Sequence, residues 1–447
     1  MNPATIISRY NSKETVSFKI MLMITVSILA FVPINPMTQI GSVLNGIFFA
    51  GLGHRDFYSV LEILLLITFI MLIKKFKISF SNMKTFDKYV LFGYILCVLL
   101  KVSNPNNSSA NPVMGLALFS DINNYSTILF FYVILGMNDK IYSIFVGRFF
   151  KYLASILVIR SSIQLMLWLL GQGNSRFFDI NSSMVEMGTL IISALIQNVM
   201  IALYLSKRKK IHLFSWIVLL ALQMFSFRRT GLYIAIGSNL MTFIIYYAFT
   251  MKYRNMYSKI IISTVLFTVL FTSPIAFQSL LQTPFQKYID RYLGIFPSFH
   301  YSNQEYGNDG GHWEQSLITA QAAVQKGFWG EGYGKRVEIE GAYKGYLIHN
   351  TWASLWARYG AYMVFYYFSL FIYFLIDIVR LSLISTRPDL TYVMMKAAIS
   401  SFLILYFIGL TFITATFIEF TKVSIIFLFT LGLFLKIRPS NYQYLFV

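Results

Sequence analysis

The chain has 447 residues, of which 57% are hydrophobic and only 12% charged, and its formal net charge is +19. A soluble globular domain carries roughly a quarter charged residues, so the composition excludes that class. The apolar runs are long and continuous rather than alternating in segments of about ten residues, which excludes an outer-membrane barrel and leaves an all-α polytopic integral membrane protein.

The runs predict about twelve transmembrane helices, several shorter than the roughly 20 residues of a full crossing. The first, 18–36, is not followed by a small-residue cleavage site and reads as a retained span. Residues 40–52 read as a re-entrant or interfacial piece. Next come 57–73, which contains Glu62, and 89–103, which contains Cys97; with a single cysteine no intramolecular disulfide is possible. The run 113–137 is interrupted by Ser120-Asp121-Ile122-Asn123-Asn124, and 149–170 contains Arg160. Runs at 187–205, 213–228, 231–249 and 260–277 complete a first block, 1–277, of nine spans. Residues 278–350 form one large loop, with acids and bases in near balance, two glycine clusters and many aromatics. Its length and composition predict an ordered, functional loop in which Trp313, Phe328, Trp329 and Tyr333 form a small core. The last block, 351–447, holds spans at 353–376, 397–417 and 423–435 and a cytoplasmic tail. No internal repeat is visible.

Orientation follows from the basic loops. Lys74-Lys75-Phe76-Lys77, Lys207-Arg208-Lys209-Lys210 and the segment 252–259 fall on one side when the spans alternate, as do Arg9, Lys13 and Lys19 near the start and Lys436 and Arg438 near the end. The positive-inside rule makes that side the cytoplasm, so both termini are cytoplasmic and the large loop faces the periplasm. The lysines and arginines thus serve topology and anionic lipid, and nucleic acid is not needed to explain them.

Four features carry chemistry. Arg228-Arg229 occupies a turn between two spans, on the side where the charge rule disfavours arginine. The pair either clamps a diphosphate with planar guanidinium forks or snorkels to headgroups. His349 stands before Asn350, a good N-cap for the helical run that follows. There a histidine serves as a general base beside unpaired backbone N–H groups, or is simply a polar loop end. Arg291, in KYIDRYLGIF, is either a ligand or a partner of Asp290. Arg160 lies deep in its span, where a cation needs a partner: a pocket or Glu62. Metal-ligand spacing and a phosphate-binding P-loop are both absent, so neither metal nor nucleotide is expected.

In order along the chain, these features resemble the O-antigen polymerase and O-antigen ligase superfamily of bacterial surface-polysaccharide enzymes. Arg229 and Leu232 match its span-opening arginine element, and Arg291 its early loop arginine. GFWGEGYG, at 327–334, matches its P-x-x-G-x-G-x-G, and His349-Asn350, Leu355 and Gly360 match its HN-x-x-x-x-L-x-x-x-x-G element. The likeness covers 225–362; earlier spans agree only in number and orientation. Arg228 stands where Ser or Thr is common, Gly327 replaces a proline, His312 stands where another loop arginine is frequent, Arg358 occupies an often acidic position and Met363 replaces a glycine. These departures favour the polymerase branch over the ligase branch.

The resemblance implies a metal-independent, cofactor-free, inverting glycosyltransferase of the inner membrane. It would polymerise undecaprenyl diphosphate-linked oligosaccharide units into O-antigen or a related polysaccharide, as in lipopolysaccharide biosynthesis, with a chain-length regulator protein as a partner. His349 and Arg229 would be catalytic, and Arg228, Arg291, Asn350, His312 and Arg160 would bind substrate. A ligase acting on lipid A-core is the alternative. A flippase for lipid-linked sugars is a third reading, weakened by the lack of charged or broken-helix positions in two related halves.

Overall fold

The computed structural model describes residues 67, 70–74, 78–106, 122–138, 142, 152–155, 157–159, 184–225, 229–250, 321, 323–332, 337–339, 343–345, 351–383, 389–409 and 421–437. Among these the chain is helical apart from one short hairpin. The helices are α1 (Thr85–Val102), α2 (Ile122–Gly136), α3 (Met184–Lys207), α4 (Lys210–Phe225), α5 (Arg229–Thr250), α6 (Thr351–Tyr359), α7 (Ala361–Leu383), α8 (Leu390–Gly409) and α9 (Thr421–Lys436). The hairpin pairs β1 (Val337–Ile339) with β2 (Tyr343–Gly345) antiparallel, Glu338 opposite Lys344.

Three of the described helices contain stretches long and apolar enough to cross a membrane: Tyr233–Thr250 in α5, Ala361–Leu381 in α7 and Leu390–Ile408 in α8. The distribution of polarity agrees. Phe365, Phe368, Ile372, Leu375 and Val379 form an exposed apolar stripe at helical spacing along α7. Conversely, Gln197, Asn198, Gln223, Ser238, Asn239, Thr242, Ser400 and Ser401 are buried. Apolar side chains facing out and amides facing in are the signature of a helix bundle solvated by lipid rather than water.

Helices α3, α5 and α8 pack on one another, with α4 against α3, α7 against α8 and α9 against α2. Asn198 ties the first three together: its Nδ2 donates to the Ala398 carbonyl in α8 at 2.6 Å, and its Oδ1 accepts from Thr242 Oγ1 in α5 at 2.9 Å. The ends are set locally. Asp87 Oδ2 accepts the Lys84 N–H at the start of α1, and Asp389 Oδ1 accepts the Thr391 N–H at the start of α8. Between α3 and α4 the chain reverses through Arg208, at φ 57°. The guanidinium of this residue bonds the Tyr246 hydroxyl and lies over the rings of Tyr204 and Tyr246. At the C-terminus of α2, Asn82 Nδ2 donates to the Gly136 carbonyl at 2.9 Å and Lys436 Nζ to the Met137 carbonyl at 2.8 Å.

Where the described helices overlap the expected spans, three differences stand out. The span expected at 353–376 is broken: α6 ends at Tyr359 and α7 starts at Ala361, because Gly360 adopts φ 104°. Asn123 and Asn124 lie inside α2, which starts at Ile122, rather than interrupting a span. Helix α8 begins seven residues ahead of the run at 397, because Asp389 caps it. The spans expected at 18–36 and 260–277, and the re-entrant or interfacial piece at 40–52, lie outside the described residues.

Candidate functional site

Of the residues expected to carry chemistry, Arg229 is the first residue of α5. Arg228, Arg160, Arg291, His312, His349 and Asn350 lie outside the described residues. Helix α6 begins at Thr351, where Asn350 as N-cap would start it, and the Thr351 side chain is fully buried. A helix start leaves backbone N–H groups without helical acceptors, which favours an anion nearby; both α5 and α6 present such a start to the segment carrying an expected site residue.

Residues 327–331 of the glycine cluster and the helix break at Gly360 are packed backbone to backbone. The Ala361 N–H donates to the Phe328 carbonyl at 3.0 Å, and the Glu331 N–H to the Ala357 carbonyl at 2.6 Å. Trp356 Nε1 donates to the Gly327 carbonyl at 3.1 Å. The approach leaves no room for side chains. A Cβ on Gly360 would sit 1.8 Å from Phe328 O, and one on Gly330, itself at φ 66°, would sit 2.7 Å from Trp356 O. The glycines are there because two stretches of main chain must touch while turning left-handed.

A third segment, missed by sequence reasoning, closes the joint. Just past α1, Asn104 Nδ2 donates to the Trp329 carbonyl at 2.6 Å and Asn106 Nδ2 to the Gly330 carbonyl at 2.5 Å. Asn104 is 3% exposed, so it serves the glycine loop and not solvent. The sequence signal was present in Ser103-Asn104-Pro105-Asn106, two asparagines around a proline directly after an apolar run, but nothing local names their partner. Lys101 lies over the Tyr359 ring at 5.0 Å on the same side of the joint. Of the aromatic core expected in the loop, only Phe328 and Trp329 are among the described residues. Phe328 is 53% exposed and Trp329 37% exposed, and both lean on Tyr362 of α7, at 5.7 and 6.1 Å between ring centres. They are held as a rim because their backbone carbonyls are taken up by Ala361 and Asn104. Trp313 and Tyr333 lie outside the described residues.

The α5 start is pinned by side-chain amides. Gln223 Nε2 donates to the Gly231 carbonyl at 2.6 Å, in the first turn after Arg229. Gln197 of α3 in turn donates to Gln223 Oε1. Gln197 and Gln223 are both buried, so this relay fixes where α5 begins relative to α3 and α4.

Fold and joint together define a helical protein with helices suited to crossing a membrane and a glycine-rich loop locked onto a broken helix. Beyond that class, neither a family model nor a curated protein matches the chain.

Proposed function

We propose that the chain is a glycosyltransferase of the bacterial inner membrane that polymerises polyprenyl diphosphate-linked oligosaccharide units on the periplasmic face. The observation that carries the reading is the joint between GFWGEG and Gly360. Two of the four elements through which the sequence resembles the polymerase and ligase superfamily are parts of one backbone lock, which includes the end of the helix that starts after His349-Asn350. The topology has support as well. Asn82, Met137 and Lys436 meet at one end of the bundle, and Asn104, Gly330 and Gly360 at the other, the two sets that alternating spans assign to cytoplasm and periplasm.

In this reaction a hydroxyl oxygen of the acceptor sugar attacks the anomeric carbon of the donor. The bond from that carbon to the diphosphate oxygen breaks, its electron pair leaves with the lipid diphosphate, and configuration inverts. His349 takes the hydroxyl proton. Arg229, with Arg228 and Arg291, neutralises the charge that grows on the leaving group, while Asn350, His312 and Arg160 contribute to binding. A diphosphate is already a competent leaving group, so the arrangement asks for no nucleotide.

Gel analysis of surface polysaccharide from a deletion strain tests the reading. Loss of a polymerase leaves a core carrying a single repeat unit. A bare core would instead assign the chain as a ligase, and an unchanged ladder would refute both.

A further inference from the structure

The packing of α3, α4 and α5 leaves polar groups unpartnered in an apolar interior. Among the described residues, Asn239 is 4% exposed and neither its Nδ2 nor its Oδ1 has a hydrogen-bond partner. Gln197 is fully buried; its nitrogen serves Ser193, the Leu219 carbonyl and Gln223, but its Oε1 has no partner. The indole Nε1 of Trp216 is also buried and unpartnered.

Ring contacts and hydrogen bonds place these groups at one three-helix junction. The Trp216 ring meets Phe243 of α5 edge-on, 6.4 Å between centres, and Asn239 precedes Phe243 by one helical turn, on the same face. Thr242, bonded to Asn198 of α3, lies one turn the other way round that face, so Asn239 falls between α3 and α4. Gln197 follows the same geometry from α3: it neighbours Asn198 and reaches across to the Leu219 carbonyl of α4, one turn from Trp216. The three side chains therefore lie within about one or two turns of each other along the bundle axis, roughly 5–10 Å.

Their unmet chemistry is balanced: two donors, Trp216 Nε1–H and Asn239 Nδ2, and two acceptors, Gln197 Oε1 and Asn239 Oδ1. Water supplies two donors and two acceptors, and buried polar groups that protein leaves unmet are the sites where internal water is bound. We infer that the α3–α4–α5 junction holds internal water hydrogen-bonded to Asn239, Gln197 and Trp216. This hydrated seam continues through Gln223 to the Gly231 carbonyl, so it is part of what positions the first turn of α5. It does not depend on the reaction proposed above.

A double-mutant cycle on the full chain in detergent tests it, read as the midpoint of heat-induced loss of monodisperse protein. Asn239→Leu keeps the branched outline of the side chain and removes the amide; Trp216→Phe keeps an aromatic ring and removes the N–H. With shared water, each single variant lowers the midpoint by a few degrees, because it strands the water and its remaining partners, and the double variant loses less than the sum. A higher midpoint for Asn239→Leu, or additive losses, would overturn the inference. If either variant fails to accumulate, a density map of the wild-type chain that shows ordered water decides: a peak within hydrogen-bonding reach of Asn239 supports the site, and an empty junction removes it.

Discussion

At the scale of single residues, Gly360 concentrates two constraints that usually occur apart. Its φ of 104° disfavours any L side chain, and a Cβ would penetrate the Phe328 carbonyl at 1.8 Å. Gly360→Ala must therefore move either the helix break or the glycine loop, at a cost of about 2 kcal/mol or more. A clear fall in the thermal midpoint of the purified protein is expected, and an unchanged midpoint would mean that the joint is not held this tightly. Asn104 makes a subtler case. Asn104→Ala takes the side-chain donor from the part-buried Trp329 carbonyl and should cost about 1 kcal/mol, read as faster proteolysis within 327–332 with little change elsewhere. Leu355 and Gly360 were legible from sequence as members of the HN element, and Leu355 is fully buried. Asn104 and Asn106 were not, since an asparagine after a span announces a cap or a turn, and its true acceptor lies more than 200 residues away.

At the scale of elements, capping and periodicity explain what could be read. Helices α3, α5 and α9 begin and end within a few residues of the apolar runs at 187–205, 231–249 and 423–435, because burial and hydrophobicity coincide there. The break between α6 and α7 was hidden by Ala357, Tyr359, Ala361 and Tyr362, which continue the apolar pattern across Gly360 and are all buried. Only the approach of a distant loop makes the break visible. The hairpin of β1 and β2 escaped for the opposite reason: three residues per strand carry too little alternation to register. The C-terminus of α2 illustrates how a buried lysine can belong to a helix end rather than to a site. Lys436→Met removes the donor to the Met137 carbonyl and should destabilise the chain by about 1–3 kcal/mol, whereas Lys436→Arg, which retains N–H donors, should recover part of the loss in the same thermal assay.

At the scale of the whole molecule, the described residues place apolar side chains both in the core and on the outer faces of helices, with a few amides buried between them. Hydropathy made apolar helices legible, but averaging over a window concealed the buried Asn239 and also Gln197, Asn198 and Gln223, whose amides join α3, α4, α5 and α8 from inside. The proposed topology makes a direct prediction. In intact spheroplasts a membrane-impermeant thiol reagent should label Trp329→Cys but not Lys209→Cys, which should react only after permeabilisation. The native Cys97 is buried in α1 and should add little background. The reversed pattern would invert the assignment of sides and move the glycine joint into the cytoplasm. The resemblance in 225–362 extends the account from fold to chemistry by giving roles to Arg229 and His349.

The central claim is that these two residues serve glycan elongation. Purified protein in detergent, supplied with polyprenyl diphosphate-linked repeat units, should build a ladder of longer lipid-linked glycans without added nucleotide. Arg229→Ala and His349→Ala should each reduce that elongation by at least about 100-fold while eluting and melting like the wild-type chain. Full-length ladders from both variants, or no elongation by the wild-type protein on any lipid-linked repeat unit that supports polymer in the parent cells, would contradict the account.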